Sequence, residues 1–97
     1  MSNNNIISVI GSGTMGNGIA HISALSGCKT YLLDLNKDLL KIGFNIIKNN
    51  LQRQVTKNLI NKVEMDSALN KINLTTSYSD LSNCDIIIEA ATEKKST

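Results

Sequence analysis

Six residues, Gly11-Ser12-Gly13-Thr14-Met15-Gly16, constrain this chain more than any other feature. They fall between a largely β-branched run, Ile6-Ile7-Ser8-Val9-Ile10, and a stretch of helical character. Glycines cluster in many loops, so the spacing alone is weak. Here the turn follows a strand-like run, opens a helix and is answered by Asp34 at the end of the next apolar run, Thr30-Tyr31-Leu32-Leu33. Those conditions together mark a turn that cradles a dinucleotide. Gly11 permits the tight turn, Gly13 lets backbone approach a pyrophosphate, and Gly16 lets the helix lie close on its strand. Exposed N–H groups and the positive end of the helix dipole then hold the phosphates. Thr14 and Met15 lie in the loop, with Met15 placed to touch the bound molecule. The bland alternative is a turn that needs glycine for geometry alone.

The flanking pattern predicts an α/β fold. Ile6–Ile10 reads as a buried first strand, and a helix over Met15–Ser26 follows, with Ile19, Ile22 and Leu25 as its apolar positions and Gly27 as its stop. Gly18 and Ala20 keep that helix slim against a sheet. Lys29–Asp34 is the second strand. Asn36 then caps a long helix reaching about Asn58, with an apolar stripe of Leu40, Phe44, Ile47, Leu51 and Val55. A break near Asn61 separates it from a shorter helix over Glu64–Lys71. Leu74–Ser77 is a third strand, and Asp85–Ile88 a fourth, read as central and buried on both faces in a full sheet, and as an exposed apolar edge at Ile86–Ile88 where a fifth and sixth strand are missing. This is the first half of a Rossmann-type doubly wound parallel sheet, in the spatial order 3-2-1-4, with a helical excursion between strands two and three.

Composition narrows the function. Ninety-seven residues make one small domain, and a net charge of +2 with three aromatic residues offers no platform for nucleic acid. The start Met1-Ser2-Asn3-Asn4-Asn5 lacks the basic and apolar regions of a leader, and no apolar run approaches the ~20 residues that cross a bilayer. A cytoplasmic chain with no membrane partner is the expectation. Cys28 and Cys84 lack metal-ligand spacing and read as small apolar fillers in a reducing compartment, with no metal implied.

Asp34 lies 18 residues after Gly16. A carboxylate there accepts hydrogen bonds from the adenosine ribose and repels a 2′-phosphate, and Leu35 and Asn36 bring no arginine to offset that repulsion. NAD is therefore expected over NADP. The alternative is that Asp34 only caps the following helix, a place Asn36 fills better. Glu89-Ala90-Ala91-Thr92-Glu93 leaves the fourth strand on the same sheet edge as the glycine turn. Its small residues leave room for nicotinamide, with Glu93 placed at the adjoining ribose. Glu89 reads either as a second contact or as a structural carboxylate. His21, the sole histidine, sits inside the first helix and reads as a surface or packing residue. No residue of this chain is assigned as catalytic.

The segments Gly11 to Ala20, Leu33-Asp34 and Asp85 to Glu93 together resemble the 3-hydroxyacyl-CoA dehydrogenase family, in its 3-hydroxybutyryl-CoA branch. The resemblance runs from Ile6 onward, and the helical excursion fits it. It implies that residues 1–97 are an NAD-binding Rossmann domain, with Gly11, Ser12, Gly13, Thr14, Met15, Gly16, Asp34 and Glu93 at the cofactor. It also implies that the excursion meets coenzyme A through a serine and a lysine, which fall here on Asn50 and Lys57. Lys57 keeps the chemistry and Asn50 departs from it. Arg53 lies with these two on one helix face, although such a basic stretch also suits a solvated surface.

The family's catalytic histidine and the glutamate that orients it have no counterpart in these residues. The chain is thus expected to be the NAD-binding portion of an enzyme oxidising (S)-3-hydroxyacyl-CoA to 3-oxoacyl-CoA. It reads as cut short, without a C-terminal helical domain, inactive alone, and a homodimer only when that domain is present. A stand-alone dinucleotide- or CoA-binding module is the second reading. A dehydrogenase of the 3-hydroxyisobutyrate type is a third, disfavoured by the long excursion.

Overall fold

The computed structural model of the protein describes residues 5–90. Its chain order is β1 (Ile6–Ile10), α1 (Thr14–Leu25), β2 (Lys29–Leu33), α2 (Lys37–Thr56), α3 (Lys62–Lys71), β3 (Ile72–Thr75), a 3-10 turn over Tyr78–Leu81 and β4 (Ile86–Glu89). The four strands form one sheet in the order β3-β2-β1-β4, with every pair parallel. That is the expected half of a doubly wound sheet. The register aligns Glu89, Ile10, Leu33 and Thr75 across the sheet, so all four strands end on one edge. In parallel α/β sheets, the loops leaving that edge are where ligands bind.

One core joins the sheet to its helices. Val9, Leu32 and Ile72 from the strands meet Ala20 and Ala24 of α1, Leu40, Ile47 and Leu51 of α2, and Met65 and Ala68 of α3. The apolar stripe of α2 is the one its spacing predicts: Leu40, Ile47 and Leu51 are buried, and Phe44 and Val55 pack beside them. Both ends of the excursion are set by asparagine. Asn36 Oδ1 accepts from the backbone N–H groups of Asp38 and Leu39 at 2.8 and 3.1 Å. Asn61 exchanges hydrogen bonds with Glu64 in a capping box that opens α3, two residues before the predicted start.

Four expectations are corrected. The buried face of α1 is Gly16, Asn17, Ala20, Ser23 and Ala24, whereas Ile22 is exposed and Ile19 and Leu25 are only partly covered. Small residues face the sheet because the helix approaches it closely. Gly18 is exposed on a cleft shared with α2, where an added Cβ meets nothing within 4 Å, so it does not serve that approach. Strand β3 begins at Ile72, directly after α3, and ends at Thr75, two residues earlier than predicted. Strand β4 is not buried on both faces. It pairs with β1 and stands at the edge of the described sheet, leaving Ile86 and Ile87 about half exposed.

Candidate functional site

The glycine turn sits where β1 delivers the chain onto the loop edge of the sheet. Gly11 holds φ at 104°, a conformation that side chains rarely tolerate, and its N–H donates to the Leu33 carbonyl at 2.7 Å. The turn is thereby tied to the end of β2. Gly16 packs beneath it: a Cβ there would lie 1.8 Å from the Gly11 carbonyl oxygen. The start of α1 is therefore held against the strand end by contact that only glycine allows. Gly13 is the N-cap of α1 in extended conformation and faces open space, with nothing within 4 Å of an added Cβ.

The capping pattern sets this helix apart. Asn36 and Asn61 cap α2 and α3 through their side chains, and Gly13 offers no side chain to the first turn of α1. The N–H groups of that turn face the open side of Gly13 with the positive end of the helix dipole behind them. This arrangement fits an anionic phosphate.

Asp34 leaves the end of β2 beside the turn. Its Oδ2 accepts from the Ser12 backbone N–H at 3.1 Å and from the Ser12 hydroxyl at 2.9 Å, and Oδ1 accepts from the Asn36 N–H at 3.3 Å. Partial burial pushes the carboxyl pKa upward. The hydrogen bonds from Ser12 and from the backbone of Asn36 and Leu35 outweigh it and hold the group below its ordinary value. Asp34 is thus an anion at neutral pH, held at Oδ2 by two bonds from Ser12 and at Oδ1 by the longer one from Asn36. It does not cap α2, which Asn36 does.

Two clefts flank the glycine turn. One, of about 180 Å³, is lined by Gly11, Leu33, Asp34, Leu35, Tyr78 and Glu89. A second, of about 460 Å³, brings Ser12, Gly13 and Thr14 together with Asn17, Ile46 and Asn50. The structure thus brings Asn50 to the glycine turn although the two are far apart in sequence. Lys57 caps the C-terminal end of α2 and does not line that cleft. Asn50 Oδ1 accepts from Arg53 at 3.4 Å. Met15 is exposed and lines neither cleft, and Gly16 is buried under Gly11. Glu93 lies outside the described residues. His21 Nε2 and Gln54 Oε1 are 2.8 Å apart, which ties α1 to α2 and gives the ring a packing role. Cys28 and Cys84 are free, with Cys28 buried as a filler.

Sequence reasoning missed Tyr78 and the Ser12 side chain. Tyr78 is placed by the 3-10 turn, which Ser77 caps, and it brings an exposed ring into the cleft that holds Asp34. Glu89 lines the same cleft, and its carboxylate makes no hydrogen bond among the described residues. The spacing from Ser12 to Asp34 places them near each other, but nothing in it announces a hydrogen bond.

Comparison with known proteins agrees with this geometry. Residues 6–97 match the family model described as 3-hydroxyacyl-CoA dehydrogenase, NAD binding domain. A 3-hydroxybutyryl-CoA dehydrogenase of Bradyrhizobium diazoefficiens is 44% identical over 89 residues, covering 92% of this chain and 30% of that protein. The fatty acid oxidation complex subunit alpha of Pseudomonas entomophila is 38% identical over 85 residues, which are 88% of this chain and 12% of the relative. Among solved structures, (S)-3-hydroxybutyryl-CoA dehydrogenase from Ralstonia eutropha superposes with a TM-score of 0.90 at 35% identity, covering 96% of this chain and 33% of that one. The 3-hydroxybutyryl-CoA dehydrogenase of Escherichia coli gives the same TM-score at 33% identity, over 95% of this chain and 20% of its own. The chain thus spans a third or less of the relatives it matches. A glycine turn that leaves a helix start open beside an anchored aspartate fits the cofactor in that family description, and the chain belongs to the 3-hydroxyacyl-CoA dehydrogenase family as its NAD-binding domain.

Proposed function

We propose that this domain holds NAD for the oxidation of (S)-3-hydroxyacyl-CoA, such as 3-hydroxybutyryl-CoA, to the 3-oxoacyl-CoA by a longer, two-domain enzyme. NAD supplies the hydride acceptor when bound. The observation that carries the reading is the uncapped, glycine-lined start of α1 set beside Asp34. The backbone of Gly11 to Gly16 receives the pyrophosphate, with Gly13 leaving the approach open and Ser12, Thr14 and Met15 around it. Asp34 receives the adenosine ribose and repels a 2′-phosphate, so NAD is taken over NADP. Glu93 meets the nicotinamide ribose.

On the far side of the turn, Asn50 borders the second cleft and Lys57 stands about two helical turns along α2. These two are the residues proposed for coenzyme A. Their separation of roughly 10 Å along the helix suits two parts of one extended molecule better than a single phosphate. The acid–base pair is supplied from outside residues 1–97, as is the helical domain through which two copies pair. No helix among the described residues is long and apolar enough to cross a membrane, and the cytoplasm is the proposed location.

The test is a pair of measurements on the purified 97-residue chain. It should bind NADH saturably and produce no acetoacetyl-CoA from 3-hydroxybutyryl-CoA and NAD, because the family's catalytic histidine has no counterpart in its sequence. Turnover by this chain would overturn the assignment of catalysis to other residues. Failure to bind NADH would overturn the cofactor role itself.

A further inference from the structure

Ser12 is buried, and both of its donors point to one atom. Its backbone N–H and its hydroxyl reach Asp34 Oδ2 at 3.1 and 2.9 Å, which uses the hydrogen-bonding capacity on that side of the carboxylate. Oδ1 takes the longer 3.3 Å contact from the Asn36 N–H, with the Leu35 backbone also beside the carboxylate. Among the described residues no side chain donates to Oδ1, so it is the oxygen more open to a further donor. Resting on the NAD reading above, we infer that Ser12 is a positioning residue: its hydroxyl locks the Asp34 carboxylate to the phosphate-binding turn so that the cofactor ribose is received on Oδ1. The Ser12 hydroxyl therefore acts through Asp34, whatever its backbone does at the turn.

Geometry gives the lock its purpose. The glycine turn and Asp34 must meet the pyrophosphate and the ribose of one molecule, yet they stand at the ends of different strands. The Gly11 N–H to Leu33 carbonyl bond sets the two backbones, and the Ser12 hydroxyl extends that coupling to the side chain. A carboxylate held this way cannot swing aside to admit a 2′-phosphate. It also discriminates against NADPH more sharply than a free one, since the negative charge stays in place. The titratable groups facing Asp34 across its cleft are Glu89 and Tyr78. Among the described residues neither donates to it, and no lysine or arginine lines the cleft.

Ser12→Ala removes the hydroxyl and keeps the backbone donor, and Ser12→Cys fills the space with a weak donor. The first readout needs no cofactor: the pH titration of the Asp34 carboxyl carbon by NMR in the free protein. Both variants should move its midpoint up by about half a pH unit, a fraction of a full charge-assisted bond because the group is partly solvated. The second readout is binding. NADH affinity at neutral pH should fall about three- to tenfold in both variants while NADPH affinity changes less, so that the preference for NADH narrows. Thermal unfolding checks that each variant is folded, and the cysteine variant covers the case in which alanine is not. An unmoved Asp34 midpoint in a folded variant overturns the lock. A moved midpoint with unchanged NADH and NADPH affinities overturns the positioning role. A wild-type protein that titrates as expected but binds no NADH overturns the NAD reading and the positioning role with it.

Discussion

Replacing Gly16 by alanine should damage the fold, and replacing Gly13 should damage only the binding site. The Cβ of an alanine at 16 would stand 1.8 Å from the Gly11 carbonyl oxygen and 2.9 Å from its carbon, whereas ordinary contact begins at 3.4 Å. The obstacle is backbone, held at φ 104° and bonded to Leu33, so no rotamer change relieves it. The start of α1 has to lift by 1.6 Å, the difference between 3.4 and 1.8 Å. Lifting α1 separates the buried Ala20 and Ala24 from Val9 and Leu32. The cost belongs at the upper end for overpacked interiors, about 3 kcal/mol. For a domain of this size each kcal/mol lowers the melting temperature by roughly 4–8 °C, so a drop of about 12–24 °C is expected.

Gly13→Ala meets nothing within 4 Å and needs no unusual φ. Its melting temperature should stay within about 4 °C of the wild type, the shift expected for a change below 1 kcal/mol. NADH affinity should nevertheless fall by about tenfold, as when one hydrogen bond to a charged group is lost. Calorimetric melting of both variants, with an NADH titration of the second, decides the matter. A Gly16→Ala protein that melts within about 4 °C of the wild type would refute the close-approach argument.

Other perturbations have equally definite outcomes. Gly18→Ala, at an exposed position of α1 where an added Cβ meets nothing, should stabilise the protein by roughly 0.5–1 kcal/mol through helix propensity, read as a higher urea midpoint. Asn61→Ala removes the capping box of α3 and should cost about 1 kcal/mol in the same assay. Asp34 is held below its ordinary pKa in the folded state, so the stability it contributes is complete above its unfolded value near pH 4 and is lost as pH falls through the folded one. Urea unfolding at pH 5 and pH 3 should show a smaller acid loss for Asp34→Asn than for the wild type, and equal losses would contradict the shift.

How much of this was readable in the sequence depended on whether the determining contact was local. The cap at Asn36 and the stripe of α2 are set within a few residues, and both appear in the pattern, whereas Asn61 reads from sequence only as a break and the structure makes it the cap of α3. The glycine turn and Asp34 were legible because a recurrent strand–turn–helix unit fixes their relation. The face of α1 was misread because apolar periodicity weighs large residues, whereas close approach selects small ones such as Gly16, Ala20 and Ala24. Strand β3 was displaced because Ile72 follows α3 with no glycine or proline to punctuate the change of period. The exposure of Ile86 and Ile87 depends on what lies beside β4, which an apolar run does not record. Tyr78 and the Ser12 hydroxyl reach Asp34 only through the tertiary fold.

The central claim is that one dinucleotide lies across the glycine turn and Asp34. The most direct test follows the backbone amide signals of the isotopically labelled chain while NADH is added. The account predicts saturating shifts concentrated at Gly11 to Gly16 and at Asp34, and much weaker changes with NADPH. A folded protein whose glycine-turn signals stay in place, or whose shifts gather elsewhere, would contradict it.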